Sequence, residues 1–140
     1  MKIKIINGPN LNLLGTRETE IYGSISMVDY LVNLQDEFKD HQIELYQSNI
    51  EGELVNALQD ASAHSDAIII NPAAYSHTSV AITDCIANIK TPIVEVHISN
   101  IHAREEYRSR SITASKVNGV ITGFGLESYR LAMKYLISTH

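Results

Sequence analysis

A chain of 140 residues, 44% hydrophobic and 19% charged, can bury one substantial core and is too apolar to be a disordered segment. Its formal net charge of −5 argues against a nucleic-acid or anionic-membrane surface, yet leaves room for a small anion held by a local arginine cluster. One cysteine, Cys85, excludes an internal disulfide and a thiolate metal cluster. No stretch reaches the length of a membrane span, and Met1-Lys2-Ile3-Lys4 leads straight into a strand, so the expectation is one cytoplasmic domain over residues 1–140.

Lys2 to Ile6 alternates charge with isoleucine and predicts the first strand, which runs into the turn signal Asn7-Gly8-Pro9-Asn10. The connection from Leu11 to Gly23 is long, with Gly15 and Gly23 bracketing its tip. Loops of that length in compact domains are usually functional, often lids, and this one carries Arg17 and Tyr22. Ser26 opens a helix, with Asp29 three residues on as a weak capping box and Met27, Leu31, Leu34 and Phe38 as its apolar face. That helix ends near Lys39-Asp40-His41, with His41 read as a solvated loop residue. Ile43 to Gln47 predicts a second strand. Ser48 and Glu51 read as a capping box for a helix whose core face is Leu54, Val55, Leu58 and Ala61, with His64 on the surface near its end.

Ala67-Ile68-Ile69-Ile70 has the continuous apolarity of a central parallel strand and stops at Asn71-Pro72. A loop from Ala73 to His77 precedes Thr78-Ser79, the cap of a helix through Ile89. On that helix Cys85 sits among Ile82, Ile86 and Ile89 as a buried structural thiol. After Pro92, Ile93 to Val96 predicts a buried strand. Val117 to Thr122 predicts the last strand, followed by a terminal helix that ends near Ser138 and buries Leu126, Tyr129, Met133 and Leu136. Strand and helix alternating about five times predict an open parallel α/β sheet, doubly wound and flavodoxin-like, in three αβα layers. Such sheets bind ligands beyond the carboxyl ends of their strands. The unusual polar residues fall there: Asn7 and Asn10 after the first strand, Asn71 and His77 after the third, His97 and Ser99 after the fourth.

Glu95 and His97 interrupt an apolar strand two residues apart and so share a face, which suits an imidazole oriented by a carboxylate as general acid or base. Arg104 and Arg108 stack if their segment is helical. They are either a solvated face paired with Glu105 and Glu106 or an anion clamp, with Arg108 suited to bidentate binding of a carboxylate. Tyr22 is either an aromatic that pins a loop or a base whose tyrosinate form is favoured by Arg17. Asn10, Asn71, Ser99 and backbone amides near Ile98 can hold hydroxyls or an oxyanion, and His77 can bond a ligand or sit as a capping neighbour. Asp84 reads as an exposed helix carboxylate. Phosphate-loop and dinucleotide fingerprints are incomplete, and the histidine spacing does not suit a metal, so no cofactor is expected.

Asn7-Gly8-Pro9-Asn10-Leu11, Tyr22-Gly23, Gln47-Ser48-Asn49, Asn71-Pro72, His77-Thr78-Ser79-Val80-Ala81 and the long block Glu95 to Glu105 together resemble the type II 3-dehydroquinate dehydratases over essentially the whole chain. The resemblance implies a flavodoxin-like fold, a dodecamer built as a tetramer of trimers, and the reversible, cofactor-free trans-dehydration of 3-dehydroquinate to 3-dehydroshikimate in the shikimate pathway. By position, it implies that Tyr22 removes the C2 proton as a tyrosinate favoured by Arg17. Asn10 would hold a water on the enolate, and His97, oriented by Glu95, would protonate the departing C1 hydroxyl. Asn71, His77, Ile98, Ser99 and Arg108 would bind substrate, with Asp84 reaching a neighbouring subunit's site. The chain departs from the family pattern at Ala73, usually glycine, at Ile50, often histidine, and in Ile112 to Asn118, which lacks a Ser-Pro pair. The rival readings are a non-catalytic, small-anion-binding flavodoxin-like protein and a histidine-based metal hydrolase.

Overall fold

The computed structural model describes residues 1–16, 20 and 23–140. Its sheet comprises β1 (Lys2–Asn7), β2 (Gln42–Gln47), β3 (Ala67–Asn71), β4 (Ile93–His97) and β5 (Gly119–Thr122). All pairings are parallel and the spatial order is β2-β1-β3-β4-β5, the flavodoxin-like winding expected. Among the described residues the α-helices are α1 (Met27–Glu37), α2 (Glu51–His64), α3 (Val80–Ala87) and α4 (Glu127–Thr139).

The strands' alternation divides the apolar residues between two cores. On one face Ile3, Ile5, Ile69, Val94 and Val96 pack with Met27 and Leu34 of α1 and with Tyr129, Met133 and Leu136 of α4. On the other, Ile6, Ile68, Ile70 and Ile93 meet Leu54, Leu58 and Ala61 of α2 and Ile82 and Ile86 of α3. β3 and β4 are buried along their whole length, which is why they lack alternation in the sequence.

Local signals decide two of the four helix starts among the described residues. Ser26 Oγ accepts from the Asp29 amide at 3.1 Å, and Ser79 Oγ from the Ile82 amide at 2.9 Å. The Ser48–Glu51 box does not form. Ile50 is the residue flanking α2; Ser48 Oγ accepts from the Ile50 amide at 3.0 Å and donates to Glu53, not Glu51. The reason is that the chain enters α2 two residues later than the box requires. His41 is half-buried, with Nδ1 3.2 Å from the amino terminus, so it is not a purely solvated loop residue. Cys85 is partly buried with its thiol toward the Val55 carbonyl, and burial pushes that thiol's pKa up.

Three strands run one residue past their apolar stretch, to Asn7, Asn71 and His97, because backbone pairing continues where side-chain polarity changes. Asn7 lies opposite Asn71, and His97 opposite Thr122. β5 starts at Gly119, not Val117. Thr113–Lys116 forms a 3₁₀ turn, and Asn118 caps the β4 edge through its side-chain oxygen on the Ile93 amide at 2.7 Å.

Tyr129 of α4 ties two strand ends together from beneath. Its hydroxyl donates to Asn7 Oδ1 at 2.8 Å and accepts from Asn71 Nδ2 at 3.0 Å, with all three residues buried. Tyr129→Phe is expected to leave both amides short of a partner and cost about 1–3 kcal/mol. The urea midpoint should fall while the slope of the transition is unchanged; an unshifted midpoint would show that the bridge contributes nothing net.

Candidate active site

Beyond the carboxyl ends of β1, β3 and β4 lies an open cleft. Its walls include Asn10, Asn71, His77, His97, Ile98, Ser99 and Arg108, residues drawn from three strand ends and the turns that follow them. Close approach of the first two of those turns depends on Gly8. A side-chain carbon there would lie 2.4 Å from the Pro72 carbonyl oxygen, and the Gly8 amide donates to the Asn71 carbonyl at 2.8 Å.

Glu95 and His97 project from one face of β4, as their spacing required. Glu95 has no solvent exposure and His97 almost none, and Oε2 of Glu95 lies 2.8 Å from Nε2 of His97. Two hydroxyls complete the carboxylate's shell: Ser111 Oγ donates to Oε2 at 2.7 Å, and Thr113 Oγ1 donates to Oε1. Burial works to raise the Glu95 pKa. The hydrogen bond and charge of His97, with the bonds from Thr113 and Ser111, outweigh it and hold the carboxyl below its ordinary value. With Nε2 committed to the carboxylate, Nδ1 is the ring nitrogen His97 has left to offer the cleft.

The remaining groups are held by short-range contacts. Asn71 Oδ1 accepts from the Ala73 amide at 3.1 Å while Nδ2 meets Tyr129, so the amide's orientation is defined from both ends. Ala73 itself takes a left-handed backbone, φ 53°, a conformation that a glycine would adopt freely. Asn10 is also left-handed, φ 69°, with its amide on Asn49 Oδ1 at 3.0 Å. His77 Nδ1 donates to the Arg110 carbonyl at 2.7 Å, which leaves Nε2 for a ligand. Arg104 and Arg108 are not stacked on one helix. Ile101–Ala103 and Glu106–Arg108 are separate 3₁₀ turns, and Arg104 between them is extended. Both guanidinium groups converge on Glu105, Arg108 Nε at 2.9 Å and Arg104 Nε at 3.8 Å, and all three side chains line the cleft.

Asp84 is exposed on α3 and does not line the cleft of its own chain. Arg17 and Tyr22 lie outside the described residues. Sequence reasoning missed Ser111, Thr113 and the role of Tyr129. The usable signal was indirect: a carboxylate inside an apolar strand requires donors from elsewhere, and hydroxyl residues are the neutral ones that supply them. Among the described residues no three His, Cys, Asp or Glu side chains come together as a metal centre needs.

The family model described as dehydroquinase class II matches residues 1–137. A protein named 3-dehydroquinate dehydratase from Helicobacter hepaticus is 53% identical over 136 residues, covering 95% of this chain and 86% of the relative. Among solved structures, type II dehydroquinase from Butyrivibrio crossotus superposes with a TM-score of 0.92 at 46% identity, over 98% of this chain and 97% of that one. The type II dehydroquinase of Propionibacterium acnes superposes with a TM-score of 0.93 at 38% identity, over 98% and 96% of the two chains.

Because the Glu95 pKa is lower in the folded chain than in the unfolded one, its contribution to stability is present above the ordinary value of 4.5 and is lost as pH falls through the folded value. Glu95→Gln should therefore flatten the fall in unfolding free energy below about pH 4.5. Urea titrations of both proteins at a series of pH values check this, and parallel curves would contradict the assignment.

Proposed function

This chain belongs to the class II dehydroquinase family, and from that premise we propose how its residues divide the work of a 3-dehydroquinate dehydratase. The reaction removes a proton from C2 and hydroxide from C1 of a cyclic hydroxy acid. The C2 proton lies next to the ketone, so its loss leaves charge on the carbonyl oxygen as an enolate. When that electron pair returns to form the C1–C2 double bond, the C1 hydroxyl leaves and must be protonated to depart as water. Each step moves a proton, so a base on one side, an acid on the other and hydrogen bonds to the enolate suffice, with no cofactor.

His97 is the acid. The observation that carries this reading is the wholly buried Glu95–His97 pair at the floor of the cleft, where a carboxylate that stays ionised keeps the imidazole oriented and able to hold a proton. Tyr22 is the base, as a tyrosinate favoured by the Arg17 charge on the same loop. Asn10, at the head of the turn after β1, holds the water that hydrogen-bonds the enolate oxygen. Arg108 receives the substrate carboxylate, supported by its place on the cleft wall, and Asn71, His77, Ser99 and the Ile98–Ser99 backbone take the ring hydroxyls. A pocket that only bound an anion would have no use for a buried, ionised acid–imidazole pair facing the ligand.

The whole chain works as one domain in the cytoplasm; among the described residues no helix is long and apolar enough to cross a membrane. It assembles with copies of itself as a dodecamer, a tetramer of trimers. The exposed carboxylate of Asp84 on α3 completes the neighbouring subunit's site.

Incubation with 3-dehydroquinate should give the conjugated enone, followed by its ultraviolet absorbance, at a rate indifferent to a chelator. Tyr22→Phe should lose turnover by at least about 10²-fold and still bind substrate, since only the phenolic oxygen is removed. A variant within a few-fold of wild type would exclude Tyr22 as the base. Asp84→Ala should raise KM or weaken assembly, and a variant unchanged in both by kinetics and sedimentation would remove it from the site.

A further inference from the structure

Glu95 and His97 leave one question open, which is what limits the carboxylate's stabilisation of the protonated ring, whose Nδ1 proton faces the cleft. The answer lies outside β4, on the segment before β5. Thr113 is fully buried and its hydroxyl bonds Glu95 Oε1; Ser111, half-buried, donates to Oε2 at 2.7 Å. Each hydroxyl has one proton, and an ionised carboxylate can only accept. The amide of Ala114 donates to Ser111 Oγ at 3.2 Å, filling an acceptor site and leaving that hydroxyl's proton for Glu95. The 3.1 Å contact between the two hydroxyls therefore takes neither proton away from the carboxylate. The turn that presents them is tied to the cleft wall, because the Ile112 amide donates at 2.7 Å to the carbonyl of Ser76, within the Ala73–His77 turn.

We propose that Thr113 and Ser111 are positioning residues for the acid step. By donating to both oxygens of Glu95 they lessen the carboxylate's stabilisation, through Nε2, of the protonated ring, and so set the pH above which Nδ1 has no proton to deliver. This rests on the reading of His97 as the acid. A bare buried carboxylate would stabilise the imidazolium strongly through its Nε2–H and make its Nδ1–H a poor acid; two neutral donors spread the carboxylate's charge, so Nδ1 gives its proton to the leaving oxygen more readily. Among the described residues no other charge duplicates this control. On the cleft side are Arg104, Glu105, Arg108 and His77, of which both arginines are engaged with Glu105 and His77 with the Arg110 carbonyl. On the side of α3, Cys85 turns to Val55 and Asp84 is exposed, as is Lys116 of the turn itself. Across the sheet, the Tyr129 hydroxyl is taken up by Asn7 and Asn71.

The proton belongs to the pair, so the prediction concerns the pair's titration and not one residue's. Removing a donor with Thr113→Val or Ser111→Ala should make the pair hold its proton to higher pH. The basic limb of the kcat profile should move up by about half a pH unit or more, with a lower plateau, while Thr113→Ser should keep the wild-type limb. In the ligand-free protein, carbon-13 NMR of labelled histidine should show the His97 ring midpoint moving the same way. Hydroxyls that only filled a structural need would lower the melting temperature and leave both midpoints in place; that result in Ser111→Ala and Thr113→Val overturns the proposal. If Thr113→Val does not fold, Ser111→Ala decides. Absence of turnover by the wild type would refute the functional reading, and the ring titration would still decide whether the hydroxyls control the pair.

Discussion

A carboxylate without solvent contact, 2.8 Å from an imidazole at the end of a central strand, is the constraint around which this molecule is arranged. Burying one charge in an apolar core is costly unless every acceptor site is answered. Here the answers come from three groups: the ring two residues along the same strand, and two hydroxyls from the segment that precedes β5. The need to bring that segment over β4 explains why β5 begins late and why the chain spends a run of irregular backbone between Ser99 and Gly119. The same segment carries Arg104 and Arg108 to the cleft, so satisfying the buried acid and building that wall of the cleft are one structural act.

A second buried polar group follows the same logic on the other side of the switch point. Tyr129 reaches through the core from α4 to join Asn7 and Asn71, the facing last residues of β1 and β3. A helix that also donates from Ser128 to the His97 carbonyl and pairs Arg130 with Glu37 thereby sets the rotamer of an amide on the cleft wall. Asn7 Nδ2 is buried without a hydrogen-bond partner, so the bridge leaves one donor unanswered. Gly8 then lets the turns after β1 and β3 nearly touch, which closes the cleft floor.

The cleft's charge runs against that of the whole chain. With a formal net charge of −5, the protein has no general attraction for anions. Arg104 and Arg108 meet at Glu105 on the cleft wall, a placement that suits the proposed reading of Arg108 as the carboxylate's partner. On the proposed reading, specificity for a small acid comes from placement and not from the global field.

The sequence alone determined the alternation of strands and helices, the two deeply buried strands, the caps at Ser26 and Ser79, and the shared face of Glu95 and His97. These follow from backbone periods of 2 and 3.6 residues and from capping contacts a few residues long, which any local window contains. It also marked the strand ends as the site, since Asn71, His77, His97 and Ser99 stand out where apolar runs stop. Other features were settled only in three dimensions. The failed capping box at Ser48 and the broken arginine pair depended on where the chain leaves a turn. The hydroxyls on Glu95 come from 16 and 18 residues away, and Tyr129 from 122 residues beyond Asn7. A buried polar group states that it needs a partner, but which residue provides it is decided by how the layers pack, and no local pattern in the chain records that choice.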